Sequence, residues 1–141
     1  RNNKNEMANK AGINISTIDG SPGTGCPVIA SITGTDYAII ITEPTVSGIH
    51  DLKRILDVTN FFNVKSGVII NKYDLNISKS REIKRIVEKN NNDFLGLIPY
   101  NKIVTKAQIK GISVVEYSKD NKIKKIISEI WKEIKLNIGN K

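Results

Sequence analysis

The chain has 141 residues, 39% of them apolar and 26% charged, with a formal net charge of +8. Such a chain builds one globular domain with a real core; its length excludes a second ordinary domain, and its single cysteine excludes a disulfide framework or a zinc site of several thiolates. The charge invites a nucleic-acid reading, but the lysines are scattered and interleaved with acids, as in REIKRIVEK, so a solvated basic surface is expected and a dedicated nucleic-acid face is not.

The first ten residues, RNNKNEMANK, are polar and lack the apolar centre of a signal peptide. No apolar run reaches the ~20 residues of a membrane span, and a reducing cytoplasm is the expected compartment. The chain opens on Arg1, which suggests a fragment or a processed product; residues 1–11 read as the tail of a helix that starts upstream, ahead of an α/β core over 12–137.

Four short apolar runs follow in order: INISTI at 13–18, YAIIIT at 37–42, SGVIIN at 66–71 and FLGLIP at 94–99. Each is aliphatic or β-branched on both faces, the pattern of a strand buried on both sides. Helical patterns separate them. A short helix is expected at 27–33, with Pro27 in its first turn. A second is expected at 47–60, carrying Ile49, Leu52, Ile55, Leu56 and Thr59 behind a cap at Thr45 or Ser47. A third is expected at 78–90, carrying Ile83, Ile86 and Val87 behind a Ser78 cap. The last, at about 119–137, aligns Ile123, Ile126, Ile127, Ile130, Trp131 and Ile134 opposite lysines and glutamates. Alternating strands and helices give a doubly wound, mainly parallel sheet with helices on both faces.

Ligands of such sheets bind beyond the carboxyl ends of the strands. Behind the first run stands Asp19-Gly20-Ser21-Pro22-Gly23-Thr24-Gly25. A carboxylate ending a buried strand needs a partner, and hydrated Mg²⁺ held through water is one. The glycines let backbone N–H groups approach an anion closely; the bland alternative is a tight loop in which Asp19 caps the next helix. No Gly-Lys-Ser/Thr ends the string, so it is not a Walker A loop. Behind the second run, Glu43 is either a loop acid facing a ligand or partner chain or part of a plain turn broken by Pro44. Behind the third, Asn71-Lys72-Tyr73-Asp74 can read a purine edge, because an amide both donates and accepts. Asn-Lys-x-Asp is also the base-reading signature of GTP-binding folds, which keeps GTP open beside a plain polar turn. Behind the fourth, Pro99 and Tyr100 either wall a base pocket or simply end a strand.

Taken together, IDGSPGTGCPVIASITGTDYAIIITEPTVSGIHDLKRI, VIINKYDLN, LIPYN and GISVVEYS resemble the C-terminal half of the MinD/ParA-type P-loop ATPases. The resemblance is closest to the MinD-like branch with an inserted ferredoxin domain carrying two 4Fe–4S clusters, and it covers most of 13–135. It implies a partial P-loop NTPase fold whose P-loop strand lies upstream. It also implies an ATP- and Mg²⁺-dependent ATPase switched between monomer and homodimer, linked to iron–sulfur or electron-transfer chemistry and so to a redox partner. In it Asp19 holds Mg²⁺ through water, and Gly20, Pro22, Gly23 and Gly25 belong to the switch that senses the γ-phosphate. Asn71 reads adenine with Lys72 beside it, Pro99 and Tyr100 border the base, and Glu43 lies near nucleotide and dimer partner. The lysine-bearing Walker A loop and the cluster cysteines have no counterpart in these 141 residues, so the chain by itself is expected to be inactive. A GTP-binding variant, in which Asp74 reads guanine, and a non-catalytic interaction module are the alternatives; partitioning of DNA is poorly supported by scattered lysines.

The last helix has two readings of its own. A basic amphipathic helix can lie on an anionic membrane, but a helix that closes a parallel sheet needs the same apolar stripe. Core packing and no membrane contact are expected.

Overall fold

Three of the four apolar runs find one another as parallel strands. The computed structural model describes residues 15–117 and 121–139. The helix tail expected over 1–11, residues 13–14 of the first run and residues 119–120 of the last helix lie outside them. The sheet is β1 (Tyr37–Thr42), β2 (Lys65–Asn71) and β3 (Asp93–Ile98), in spatial order β1-β2-β3, with both pairings parallel. Central β2 is apolar on both faces because both are covered, and Val68 and Ile70 are fully buried.

The crossovers are helical. α1 (Cys26–Ile32) starts behind Gly25 with Pro27 in its first turn, where a missing N–H costs nothing. α2 (Val46–Phe61) is capped by Thr45, whose hydroxyl oxygen accepts the Gly48 N–H at 2.9 Å. The cap works because Gly48 has no side chain: a Cβ there would collide with the Glu43 carbonyl oxygen. α3 (Ile77–Lys89) is capped by Asn76, whose side-chain oxygen accepts the Lys79 N–H at 3.0 Å. The expected Ser78 cap is therefore wrong by two residues. A 3₁₀ turn over Tyr73–Leu75 delivers an extended Asn76 to the helix entrance, so Ser78 already lies inside the first turn. Two helices went unread in the sequence, α4 (Lys102–Ile109) behind an Asn101 cap and α5 (Val114–Tyr117). Asn101 before Ile103, Val104 and Ala107 was the available signal for α4. α6 (Asn121–Gly139) ends the described chain.

α1, α2 and α3 share one face of the sheet. Ile49, Leu52 and Leu56 of α2 meet Val68 and Ile70 of β2 and Ile83 and Val87 of α3. Val28 and Ile32 of α1 pack with Ile55 and Val64. α6 covers the other face, where Ile130 and Ile134 lie on Ile69 and Leu95. Helices on both faces of a parallel sheet make the expected doubly wound α/β fold. A bulge in β3 fits the last helix: pairing skips Leu95, and Gly96 turns to φ +154°, where a Cβ would strike Ile130. Ile123, Ile130 and Ile134 are buried as expected and Ile126 and Ile127 half-buried, but Trp131 is 41% exposed and does not belong to the core stripe. It lies outside the cluster that Ile126, Ile130, Ile134 and Ile138 form with the sheet.

INISTI is the other correction. Residues 15–18 form no ladder and are exposed. A parallel strand has no hairpin partner and depends on neighbours brought by crossovers; among the described residues none flanks this run. β1 also departs from the expected burial on both faces: Ile39 and Ile41, alternate residues on one face of this edge strand, are 42% and 63% exposed.

On the α6 face the Tyr37 hydroxyl donates to Asp93 Oδ2 at 2.7 Å, lying over Gly67, where any Cβ would meet it. Burial, and next the acceptor carboxylate of Asp93, hold the Tyr37 hydroxyl above the ordinary tyrosine range. The folded state thus keeps a proton that the unfolded chain releases as pH rises through its own value of 10.0. Tyr37 therefore contributes stability below that value, and the contribution is lost progressively above it. Denaturation midpoints measured from pH 8 to 11 should fall more steeply for wild type than for Tyr37→Phe; parallel curves would remove Tyr37 from the alkaline transition.

Candidate functional site

The three strands deliver their loops side by side. Thr42 pairs with Ile70 and Asn71 with Ile98, so Glu43, Asn71-Lys72 and Pro99-Tyr100 stand in a row across the carboxyl edge of the sheet. This is the edge at which open α/β sheets bind ligands.

Two ties lace the row. Lys72 turns into the left-handed region at φ +53°, and its ammonium reaches Glu43 Oε1 at 2.7 Å, joining the loops of β1 and β2. Both side chains are more than a third exposed, 37% and 42%, so the pair fixes loop geometry more than it adds stability. Asp74 Oδ1 accepts the Tyr100 N–H at 2.7 Å, joining the loops of β2 and β3. The β1 loop is held from below, where the Thr42 hydroxyl donates to the Gly48 carbonyl at 3.1 Å.

Asn71 is left over. It is half-buried at the strand end, and among the described residues no hydrogen bond engages its side-chain amide. Donor and acceptor are both available to a ligand edge. Pro99 is half-buried beside it and Tyr100 is 46% exposed, an apolar and an aromatic surface bordering the same place.

The glycine-rich string lies apart from this row in contact terms. Asp19, Gly20, Pro22, Gly23 and Gly25 are all exposed, and no hydrogen bond or ion pair engages the Asp19 carboxylate among the described residues. Gly20 lies against Ser31 of α1, so the string folds back over that helix, and Gly23 takes φ +94°, which glycine adopts freely. Among the described residues the strand expected to present Asp19 at the sheet edge is not formed, and no contact joins Asp19 to the other candidate residues.

A lone exposed carboxylate suits a magnesium ion that keeps most of its water and takes its other ligands from phosphate. Among the described residues no three His, Cys, Asp or Glu side chains converge into a protein cage. For Mg²⁺ held through water, Asp19 fits. A 4Fe–4S cluster does not fit this chain, since such a cluster takes four thiolates and the chain has one cysteine, the exposed Cys26. No helix among the described residues is long and apolar enough to cross a membrane.

No protein-family model matches the chain. Among curated proteins it is similar to two uncharacterised proteins of Methanocaldococcus jannaschii. It is 41% identical to MJ0578 over 69 residues, covering 49% of this chain and 25% of that protein. To MJ0579 it is 30% identical over 119 residues, covering 82% of this chain and 38% of that protein. The chain thus spans well under half of either relative. Among solved structures it resembles the MinD cell division protein of Aquifex aeolicus, with TM-score 0.76 and 19% identity over 94% of this chain and 58% of that one. It also resembles the septum site-determining protein MinD of Pyrococcus horikoshii complexed with Mg-ADP, with TM-score 0.68 and 19% identity over 83% of this chain and 48% of that one. The fold is therefore that of the MinD-type P-loop ATPases, of whose solved chains this one spans about half.

Proposed function

We propose that this chain, a MinD-type fold in part, is the base-binding and switch portion of an ATPase that takes ATP with Mg²⁺. ATP would join two copies of the complete protein and hydrolysis would release them. The observation that carries the reading is the unengaged Asn71 amide, half-buried beside Pro99 and Tyr100 on a carboxyl edge whose loops are already tied. An adenine presents a donor next to an acceptor, which an amide can meet with one acceptor and one donor. Pro99 and Tyr100 would flank the ring, and Tyr100 offers a face for stacking. Glu43, fixed by Lys72, would stand between nucleotide and partner subunit. Asp19 would hold the water shell of Mg²⁺, and that ion when bound would neutralise phosphate charge. Gly20 to Gly25, exposed on α1, would be the segment that moves on sensing the γ-phosphate. Any link to iron–sulfur or electron-transfer chemistry, with a redox protein as partner, would have to draw its cluster ligands from residues other than these 141.

Titration calorimetry tests this. The full-length protein should bind Mg-ATP, and Asn71→Ala should weaken binding about tenfold through the lost paired hydrogen bonds. The 141-residue chain, which has no glycine-rich loop ending in Gly-Lys-Ser/Thr, should hydrolyse ATP no faster than a blank, because most phosphate contacts in such folds come from that loop. Failure of the full-length protein to bind any purine nucleotide would sink the reading.

A further inference from the structure

The string Asn71-Lys72-Tyr73-Asp74 leaves two purines open, and the geometry of its last residue separates them. A carboxylate that reads guanine must turn both oxygens to the base, to meet two N–H donors side by side. Asp74 instead directs Oδ1 across to the β3 loop, accepting the backbone N–H of Tyr100 at 2.7 Å, a bond between residues 26 apart in the chain. Pro99 has no N–H, so Tyr100 carries the first backbone donor beyond β3 that is not part of the ladder. Left alone, the β3 loop would be held at that end by Pro99 and the Asn101 cap of α4; the Asp74 bond ties it to the β2 loop at the residue between them. Lys72 is likewise spent elsewhere, its ammonium on Glu43 at 2.7 Å.

We infer that Asp74 is a positioning residue that holds the Pro99-Tyr100 wall at a fixed distance from Asn71, and that it does not read the base. The site so built takes a purine through the Asn71 amide, with Asp74 assigned through its Oδ1 to the wall and not to the base. This rests on the nucleotide-binding reading above and adds the specificity to it. Two residues of the same short string thereby divide the work: Asn71 faces the ligand, and Asp74 sets the spacing of the opposite wall.

The experiment is competition binding on the full-length protein with Mg-ATP, Mg-GTP, Mg-xanthosine triphosphate and tripolyphosphate. Wild type should prefer ATP. Asp74→Ala, which removes the acceptor, should weaken ATP about 5- to 10-fold, the worth of one hydrogen bond, and leave tripolyphosphate unchanged, because the damage is confined to the base wall. Asp74→Asn keeps an acceptor oxygen and should return ATP affinity to within about twofold, with no gain for xanthosine triphosphate. In the 141-residue chain the Tyr100 amide proton should resonate downfield and move upfield in Asp74→Ala. A guanine reader gives the opposite pattern: wild type prefers GTP, and Asp74→Asn transfers that preference to xanthosine triphosphate. That result, or equal losses of ATP and tripolyphosphate in Asp74→Ala, or an unmoved Tyr100 amide, would overturn the inference. A wild-type protein that binds none of the four would instead overturn the nucleotide reading beneath it.

Discussion

Ile130→Asp should unfold the domain. Ile130 is 7% exposed and lies between Ile69, Leu95 and Ile134 on the α6 face of the sheet, against the Gly96 bulge. Losing its burial costs about 2 kcal/mol. The carboxylate that replaces it would enter a cluster with no cation among its members, and an unpaired buried charge costs several kcal/mol more. Domains of this kind hold roughly 5–15 kcal/mol in all. Far-UV circular dichroism with urea titration should therefore show a largely unfolded chain at 25 °C. Lys132→Asp, a change in charge twice as large at an exposed position of the same helix, should shift stability by no more than about 0.5 kcal/mol. Trp131, at the helix margin, gives the fluorescence readout. A folded Ile130→Asp variant that had lost only binding to anionic vesicles would mean that α6 serves a membrane and not the sheet.

Asp19→Asn in the full-length protein should have the largest effect on turnover. The substitution keeps the shape and removes the charge that would face the water shell of Mg²⁺. Hydrolysis should fall roughly 100-fold or more, since the stabilisation lost is realised where phosphate charge develops. Folding should be indifferent: Asp19 is exposed and makes no hydrogen bond or ion pair among the described residues, so a change within about 0.5 kcal/mol is expected. The measurement is a phosphate-release assay at saturating Mg-ATP beside a thermal melt of the same samples. Unchanged turnover would remove Asp19 from the site; a melt that collapsed with the rate would make Asp19 structural.

Much of this molecule was legible in its sequence. YAIIIT, SGVIIN and FLGLIP became β1, β2 and β3 within a residue, because aliphatic and β-branched runs favour strands, though only the central β2 is covered on both faces and Ile39 and Ile41 of β1 stay exposed. α1 and α2 followed from Pro27 and Thr45, since a cap is a local bond between neighbours in sequence. The placement of Glu43, Asn71, Lys72, Pro99 and Tyr100 on one edge followed too: once the strands are parallel, every segment that leaves a strand leaves it at the same end. Other features needed the tertiary structure. INISTI has the composition of a strand, yet its described residues 15–18 make no ladder, because pairing is a property of a neighbour and not of a run. The Trp131 position had the period of the core stripe, but the width of the α6 contact decides which stripe members are covered. Asp74 shows the division most plainly. Its four-residue string is compatible with guanine or adenine, and its carboxylate is engaged by an N–H donated from the loop of another strand, a contact that no local pattern encodes.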